Sequence, residues 1–314
     1  MPTSGNKRVV VVGATGTIGK ALSKRLIGTG YELVVFSRNP DSAREIVPGA
    51  VEYFAWKPEE QDPWASTIDG AYGVVHLAGA PFFTRWKNME YKREINESRL
   101  KVTRGLMQAM RGVKTKPEVF IYGSSVGFYG FENTNRNRKM DENAPVGNDF
   151  WGRDSKVLED EAAKAEELGI RTVMLRTGIL LSEDSGPLPG QVPQYKWFMG
   201  GFALPGTQWY PWIHIADEVG IIMLALEDER VHGPINLTAP DPPTNREFYK
   251  KLGKVLHRPS WLPMPGGLFK LFLGEAAVVV TMARRVVPKK ALELGYEFHY
   301  PDLEKALRQL LHVE

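Results

Sequence analysis

The chain has 314 residues, 43% of them hydrophobic, enough to bury a full-sized core as one large domain or one domain with a small lobe. Its 40 Lys and Arg and 37 Asp and Glu are interspersed along the whole length, which excludes the electrostatic footprint of a nucleic-acid binder. The absence of cysteine excludes disulfides, thiolate metal sites and cysteine nucleophiles together, and it suits a reducing compartment.

In chain order, the amino terminus runs into an apolar strand without a signal-peptide core. Short runs rich in β-branched residues follow at 8–12, 32–36, 51–55, 73–77, 119–123 and 171–176, alternating with helical patterns. The first helix carries Ala21, Leu22, Arg25 and Leu26 at helical spacing and stops at Gly28-Thr29-Gly30; a later one runs from about residue 89 to 110, with Ile95, Leu100, Thr103, Leu106 and Met107 on its apolar side. Strands that are apolar throughout and separated by helices imply a parallel sheet covered on both faces, an α/β doubly wound fold. The polar run 133–139 reads as a solvated loop. Beyond Leu181 the chain turns rich in glycine, proline and aromatics, from Gly186-Pro187-Leu188-Pro189-Gly190 through Trp197, Phe198, Trp209, Tyr210 and Trp212. Residues 1–181 are therefore expected to form the nucleotide-binding domain and 182–314 a smaller lobe, with 211–238 returning to the main sheet. Residues 268–283 are apolar but broken by Lys270, Gly274 and Glu275, too short for a bilayer span and read as a packed helix.

The sharpest motif is Gly13-Ala14-Thr15-Gly16-Thr17-Ile18-Gly19, placed directly between the first strand and the first helix. Gly13 permits the tight turn, Gly16 lets backbone approach a pyrophosphate, and Gly19 lets the helix pack closely on the sheet; the phosphates would sit on free N–H groups at the helix's positive end. A glycine triplet alone marks only a turn, and its position after an apolar strand is what points to a dinucleotide. The second strand ends in Ser37-Arg38 with no carboxylate. A carboxylate there would accept from a ribose 2′-hydroxyl, whereas a hydroxyl beside a guanidinium suits a 2′-phosphate, so NADP(H) is expected over NAD(H). The fourth strand ends in Leu77-Ala78-Gly79, small residues past which a nucleotide can lie close to the backbone.

These motifs, with the order GATGTIG, VHLAGAP, GSSVGFYG and LRTGILL, resemble the extended short-chain dehydrogenase/reductases, the Rossmann-fold group of nucleotide-sugar epimerases and dehydratases. The blocks Ser98-Arg99 with Thr103, Pro211-Trp212-Ile213-His214-Ile215 with Asp217, and Gly233-Pro234-Ile235-Asn236-Leu237 resemble more closely the epimerase-like branch of SulA homologues, which has its own small C-terminal domain. The resemblance implies NADP(H) at the carboxyl ends of the strands. It also implies a cofactor contact for Arg99, which falls where ordinary members place a ribose-contacting asparagine, together with Glu94; the plain alternative for both is an exposed charged helix.

Ordinary members catalyse with a Ser/Thr, a Tyr and a Lys. Ser125, four residues before Tyr129, fits the hydroxyl, and Lys156 is the candidate lysine. The YxxxK tyrosine is missing, because four residues before Lys156 stands Gly152. Glycine cannot exchange a proton as a phenol beside a lysine does. The leading expectation is an oxidoreductase or epimerase-like enzyme on a small molecule, and three readings stay open: Lys156 anchors the ribose while Tyr129 or His214 substitutes as acid/base, a polarising Ser125 and water suffice for hydride transfer in a slow or specialised reductase, or the chain is a non-catalytic NADP(H)-binding regulator. Plain alternatives are a core histidine at 214, a packed aromatic at 129, a surface lysine at 156 and a helix cap at Asp217. The expected setting is cytoplasmic, as monomer or homodimer, with no metal, nucleic-acid or membrane partner.

Overall fold

Val9 and Val11 face one side of their strand and Val10 and Val12 the other, and all four are buried, so the sheet they belong to is covered on both faces. In the computed structural model, which describes residues 7–58, 64–79, 89–131, 137–267, 278 and 283–313, that strand is β1 (Arg8–Val12). Seven parallel strands form the sheet: β1, β2 (Glu32–Ser37), β3 (Glu52–Ala55), β4 (Gly73–His76), β5 (Val119–Ser125), β7 (Arg171–Thr177) and β11 (Gly233–Leu237), in the order β11-β7-β5-β4-β1-β2-β3. The chain moves outward one way from β1 to β3 and the other way from β4 to β11. The order reverses between β1 and β4, and their carboxyl ends therefore flank a crevice.

Helices α1 (Thr17–Gly28) and α6 (Ile215–Glu227) cover one face through Leu22, Leu26, Val219 and Ile222. The other face holds α3 (Met89–Gly112) and α4 (Phe150–Ala163), which bury Leu106, Met110, Leu158 and Ala162. Short α2 (Pro40–Ile46) follows β2. Three two-stranded parallel pairs lie outside the main sheet: β6 (Lys139–Met140) with β13 (Arg285–Val286), β8 (Ile179–Leu181) with β10 (Trp212–His214), and β9 (Gly200–Ala203) with β12 (Ser260–Met264). A separate apolar cluster joins α5 (Leu188–Lys196), α7 (Asn245–Val255) and the last helix, Leu303–Leu311, through Tyr195, Trp212, Phe248 and Leu307. The packed-helix expectation for 268–283 falls almost wholly outside the described residues, as does most of the 133–139 loop.

A buried polar network ties the sheet to the later chain. Arg176 on β7 donates from Nε and Nη2 to Glu159 of α4 at 3.0 and 2.8 Å, and from Nη1 to the Tyr129 phenol at 3.0 Å. Tyr129 donates to Asn236 Oδ1 at 2.7 Å, whose backbone N–H donates to Glu142 at 3.0 Å and whose amide donates to Val287 O at 2.9 Å. Every link is a buried group with a partner, as low-dielectric surroundings demand.

The first turn of α6 carries two neighbouring buried carboxyls with different duties. Asp217 accepts from His299 N at 2.7 Å, Tyr300 N at 3.0 Å and the Tyr296 phenol at 3.2 Å, so it anchors the C-terminal segment rather than capping its own helix. The cap is His214, whose Nδ1 accepts from Ala216 N at 3.0 Å. Glu218 is fully buried and accepts one bond, from Thr177 Oγ1 at 2.7 Å, while its Oε2 has no partner among the described residues. Burial pushes its pKa up to about 8, against the pull of the Thr177 hydrogen bond. A carboxyl raised on folding stabilises the fold fully below its unfolded pKa, and that contribution drains away as pH climbs through the folded value. We expect wild-type unfolding free energy to fall by on the order of 3 kcal/mol between about pH 5 and pH 9 from this group, and Glu218→Gln to remove that slope in urea unfolding. A slope unchanged by the substitution would contradict the assignment.

Candidate functional site

The crevice is floored by the loop between β1 and α1. Gly13 has φ +90°, and a Cβ there would lie 2.7 Å from Ala78 N and 2.8 Å from Leu77 C. Glycine is thus required twice, by backbone conformation and by the β4 turn pressed against it. At Gly19 a Cβ would come within 2.2 Å of Gly13 O, so a bare α-carbon is what lets α1 begin so close to the strand. Gly16 is exposed and is the N-cap of α1 with no side-chain capping bond, so among the described residues no side chain claims the first N–H groups of the helix. Thr15 and Ile18 are half-buried beside it, and Thr17 Oγ1 donates to Ser185 Oγ at 2.6 Å, bringing the loop after β8 onto the helix start. Ser185 was not singled out from the sequence, since nothing local marks a serine 168 residues away as a neighbour.

At the tip of β2, Arg38 is exposed, while the Ser37 hydroxyl works locally. It donates to Asn39 O at 3.0 Å and accepts from Asn39 N at 3.2 Å, and Asn39 in turn caps α2 by accepting from Ser42 N at 3.1 Å. The Asn-Pro pair opening a helix was the legible signal for that cap.

After β4, Leu77 N donates to Val12 O at 2.8 Å and Ala78 N to His76 Nδ1 at 3.3 Å, which locks the turn. Gly79 has a reason beyond approach of a ligand: the Arg99 guanidinium occupies the space of the missing side chain, with Nη2 2.5 Å from where a Cβ would stand. Burial lowers the Arg99 pKa, opposed by Tyr122 and Asp154. Burial also raises Asp154 to about 6 against the attraction of Arg99, and Asn96 Nδ2 donates to its carboxylate. His76 lies edge-on to Tyr122 at 5.4 Å and is lowered to about 3 by burial and then by Arg99, so it is neutral. The result is a cationic side chain under the Leu77–Gly79 turn, braced from α3 and α4. Glu94 lies on α3, but its side chain is outside the described residues.

Ser125 ends β5 and accepts from Gly127 N at 3.1 Å, which aims its oxygen and leaves the hydroxyl proton available to a ligand. Lys156 does not join it. On α4 the residue facing this turn is Ser155, whose Oγ stands 3.7 Å from a Cβ position on Gly127, and one residue on places Lys156 on the exposed side, bound to Asp160 at 2.7 Å. Tyr129 is 0% exposed, with its phenol committed to Asn236 and Arg176 and raised by burial to about 12. His214 donates from Nε2 to Gln309 Oε1 at 2.8 Å once Nδ1 accepts from Ala216, and it stacks on Tyr300 at 3.9 Å. Both side chains are taken up by hydrogen bonds within the fold. Trp212 and Tyr210 are core, Trp209 lies under Arg285 at 4.4 Å, and Trp197 is exposed to solvent.

Comparison with known proteins agrees with this architecture. Residues 9–237 match the model of the NAD dependent epimerase/dehydratase family, and residues 264–310 match a domain of unknown function, DUF1731. The chain is 37% identical over 305 residues to the chloroplastic epimerase family protein SDR39U1 homolog of Arabidopsis thaliana, covering 96% of this chain and 86% of that one. It is 35% identical to the epimerase family protein YfhF of Bacillus subtilis, covering 96% and 97%. Among solved structures, human epimerase family protein SDR39U1 with NADPH superposes with a TM-score of 0.84 at 29% identity, over 97% of this chain and 99% of that one. UDP-glucuronic acid 4-epimerase from Bacillus cereus shares the fold, with a TM-score of 0.74 at 18% identity over 96% of each chain. A seven-stranded doubly wound sheet, a glycine loop at its switch point and a match over most of the length establish that this chain belongs to the NAD dependent epimerase/dehydratase family.

Proposed function

We propose that the chain binds NADP(H) across the carboxyl ends of the sheet and acts as an oxidoreductase or epimerase-like enzyme on a small molecule covered by the lobe of residues 182–314. The observation that carries the reading is the backbone cradle: Gly13 and Gly19 have no room for a side chain, and the uncapped start of α1 offers N–H donors to a pyrophosphate. NADPH in the human relative supports the same cofactor here.

The residues fit the group. Thr15, Gly16, Thr17 and Ile18 would hold the pyrophosphate, with Leu77, Ala78 and Gly79 forming the opposite wall. Exposed Arg38 would pair with a 2′-phosphate, Ser37 shaping the turn that presents it. Arg99 would face the ribose from beneath Gly79, and Glu94, five residues earlier on α3, is the companion cofactor contact that the resemblance implies. Bound nicotinamide supplies or accepts a hydride. Ser125 would donate its hydroxyl hydrogen bond to a substrate oxygen and so polarise a carbonyl. Lys156 has no part in this reading, being paired with Asp160 at the surface.

A second reading, a non-catalytic NADP(H)-binding regulator, has one specific observation in its favour. Among the described residues the phenol that follows Ser125, that of Tyr129, is committed to Asn236 and Arg176 and is not free to exchange a proton.

Calorimetric titration should show tighter binding of NADPH than NADH, and Arg38→Ala should cut that preference roughly tenfold to hundredfold, the worth of a charged hydrogen bond. Equal affinity of the wild type for both cofactors would remove the 2′-phosphate assignment. Incubation with NADPH and a panel of carbonyl compounds, followed by the absorbance of reduced nicotinamide, separates the two readings. Turnover reduced roughly a hundredfold by Ser125→Ala supports the enzyme; binding without turnover across the panel supports the regulator.

A further inference from the structure

The smaller lobe presents large apolar side chains to water where nothing in the fold calls for them. At the end of α5, Trp197, Phe198 and Met199 are 76%, 55% and 53% exposed, and Trp261 on β12 is 63% exposed. They form one surface, since the Trp261 indole N–H donates to Phe198 O at 3.0 Å. Phe198 itself is held at φ +60°, a conformation bulky residues rarely adopt. Behind them, β9 packs against β12 so closely that a Cβ on Gly201 would lie 1.8 Å from Leu262 O, and Tyr195 and Phe202 are buried beneath. The aromatics thus stand on a rigid base and project outward.

The segments that build this face carry charge of one sign, in a chain whose total is nearly balanced. No Asp or Glu occurs between Asp184 and Asp217, nor between Glu247 and Glu275, the segments that build the β9–β12 pair. Lys196, His257 and Arg258 are exposed alongside the aromatics, with the Arg258 guanidinium 4.9 Å from the Phe198 ring centroid. Arg246 lies 4.7 Å over Phe202.

An apolar cluster rimmed by cations marks an interaction site. A second copy meeting this face symmetrically would bring two sets of the same cations, Lys196 and Arg258, into one interface with no acidic residue from the segments that build the face, which like-charge repulsion opposes. Side chains more than half exposed project rather than line a groove, so they suit insertion into a soft surface better than reception of a peptide. Indole rings with a polar edge settle at the level of lipid headgroups, and adjacent Lys and Arg add attraction to anionic lipid.

We propose that this face docks reversibly on an anionic lipid bilayer, with Trp197, Phe198, Met199 and Trp261 entering the headgroup boundary and Lys196 and Arg258 meeting lipid phosphates. The inference stands apart from the cofactor reading. Among the described residues no helix is long and apolar enough to cross a membrane, and a surface contact requires none. The expectation of no membrane partner drew on spanning segments alone.

The test is cosedimentation of the full chain with phosphatidylcholine vesicles containing roughly 30 mol% phosphatidylglycerol and with pure phosphatidylcholine vesicles. The expected result is binding to the anionic vesicles only, weakened roughly tenfold by the double change Trp197→Ser and Met199→Ser and, independently, by Lys196→Glu with Arg258→Glu. Tryptophan emission should shift to the blue on anionic vesicles and shift less in the Trp197→Ser chain. Thermal melts of both variants matching wild type would exclude misfolding, and should either variant melt early, single changes at Trp197 or Arg258 replace it. Absence of binding at low salt, or binding that the variants retain in full, overturns the proposal, as does a wild-type dimer on a sizing column that the variants convert to monomer without any vesicle effect.

Discussion

Everything at the crevice depends on a contact between two stretches of bare backbone. Gly19 sits so close to Gly13 O that one methyl group would force α1 away from the end of β1. Because α1 starts there, its first N–H groups open at the sheet's switch point, where the carboxyl ends of β1 and β4 part. The same crowding presses the Leu77–Ala78 turn against Gly13, which sets the opposite wall. Three glycines, 13, 19 and 79, are therefore one steric arrangement, with two removing volume for backbone and one for the Arg99 guanidinium.

The charges near this arrangement are organised differently from those deeper in the sheet. Arg176 and Glu159 form a fully desolvated pair that holds the Tyr129 phenol and, through Asn236 and Glu142, the strands on which the later chain rests. That network ties β7 to α4 and to the turn that follows Ser125 at the end of β5. Arg99 and Asp154, by contrast, act through a single exposed turn, with burial lowering one pKa and raising the other while their attraction works against both shifts.

Much of the fold was legible because its signals are local. Six runs of β-branched residues became strands of the sheet, and the glycine loop stood where strand and helix met. β11 was harder: Gly-Pro-Ile-Asn-Leu has a single β-branched residue and opens on Gly-Pro, and it is a strand because it pairs in parallel register with β7 from Gly233 to Leu237. The site was read less completely. Lys156 was chosen by residue type, yet its direction is fixed by where α4 begins, and a helix residue one place on turns to another face. Asp217 reads locally as a first-turn acid, but its partners lie eighty residues later. Asp154 and Asn96 were missed because they acquire meaning only when α3 and α4 pack side by side on Arg99.

The bond set of Asp217 also dictates an order of events. A ribosome releases this chain from its front, so β1 to β7 emerge long before His299 and Tyr300 exist to satisfy a carboxylate already placed at the head of α6. Until the final stretch arrives, that carboxylate must keep its water, and α6 cannot settle completely against the sheet. The molecule is therefore completed from its tail, and a chain cut short before Tyr296 would carry a nucleotide fold left open along one flank.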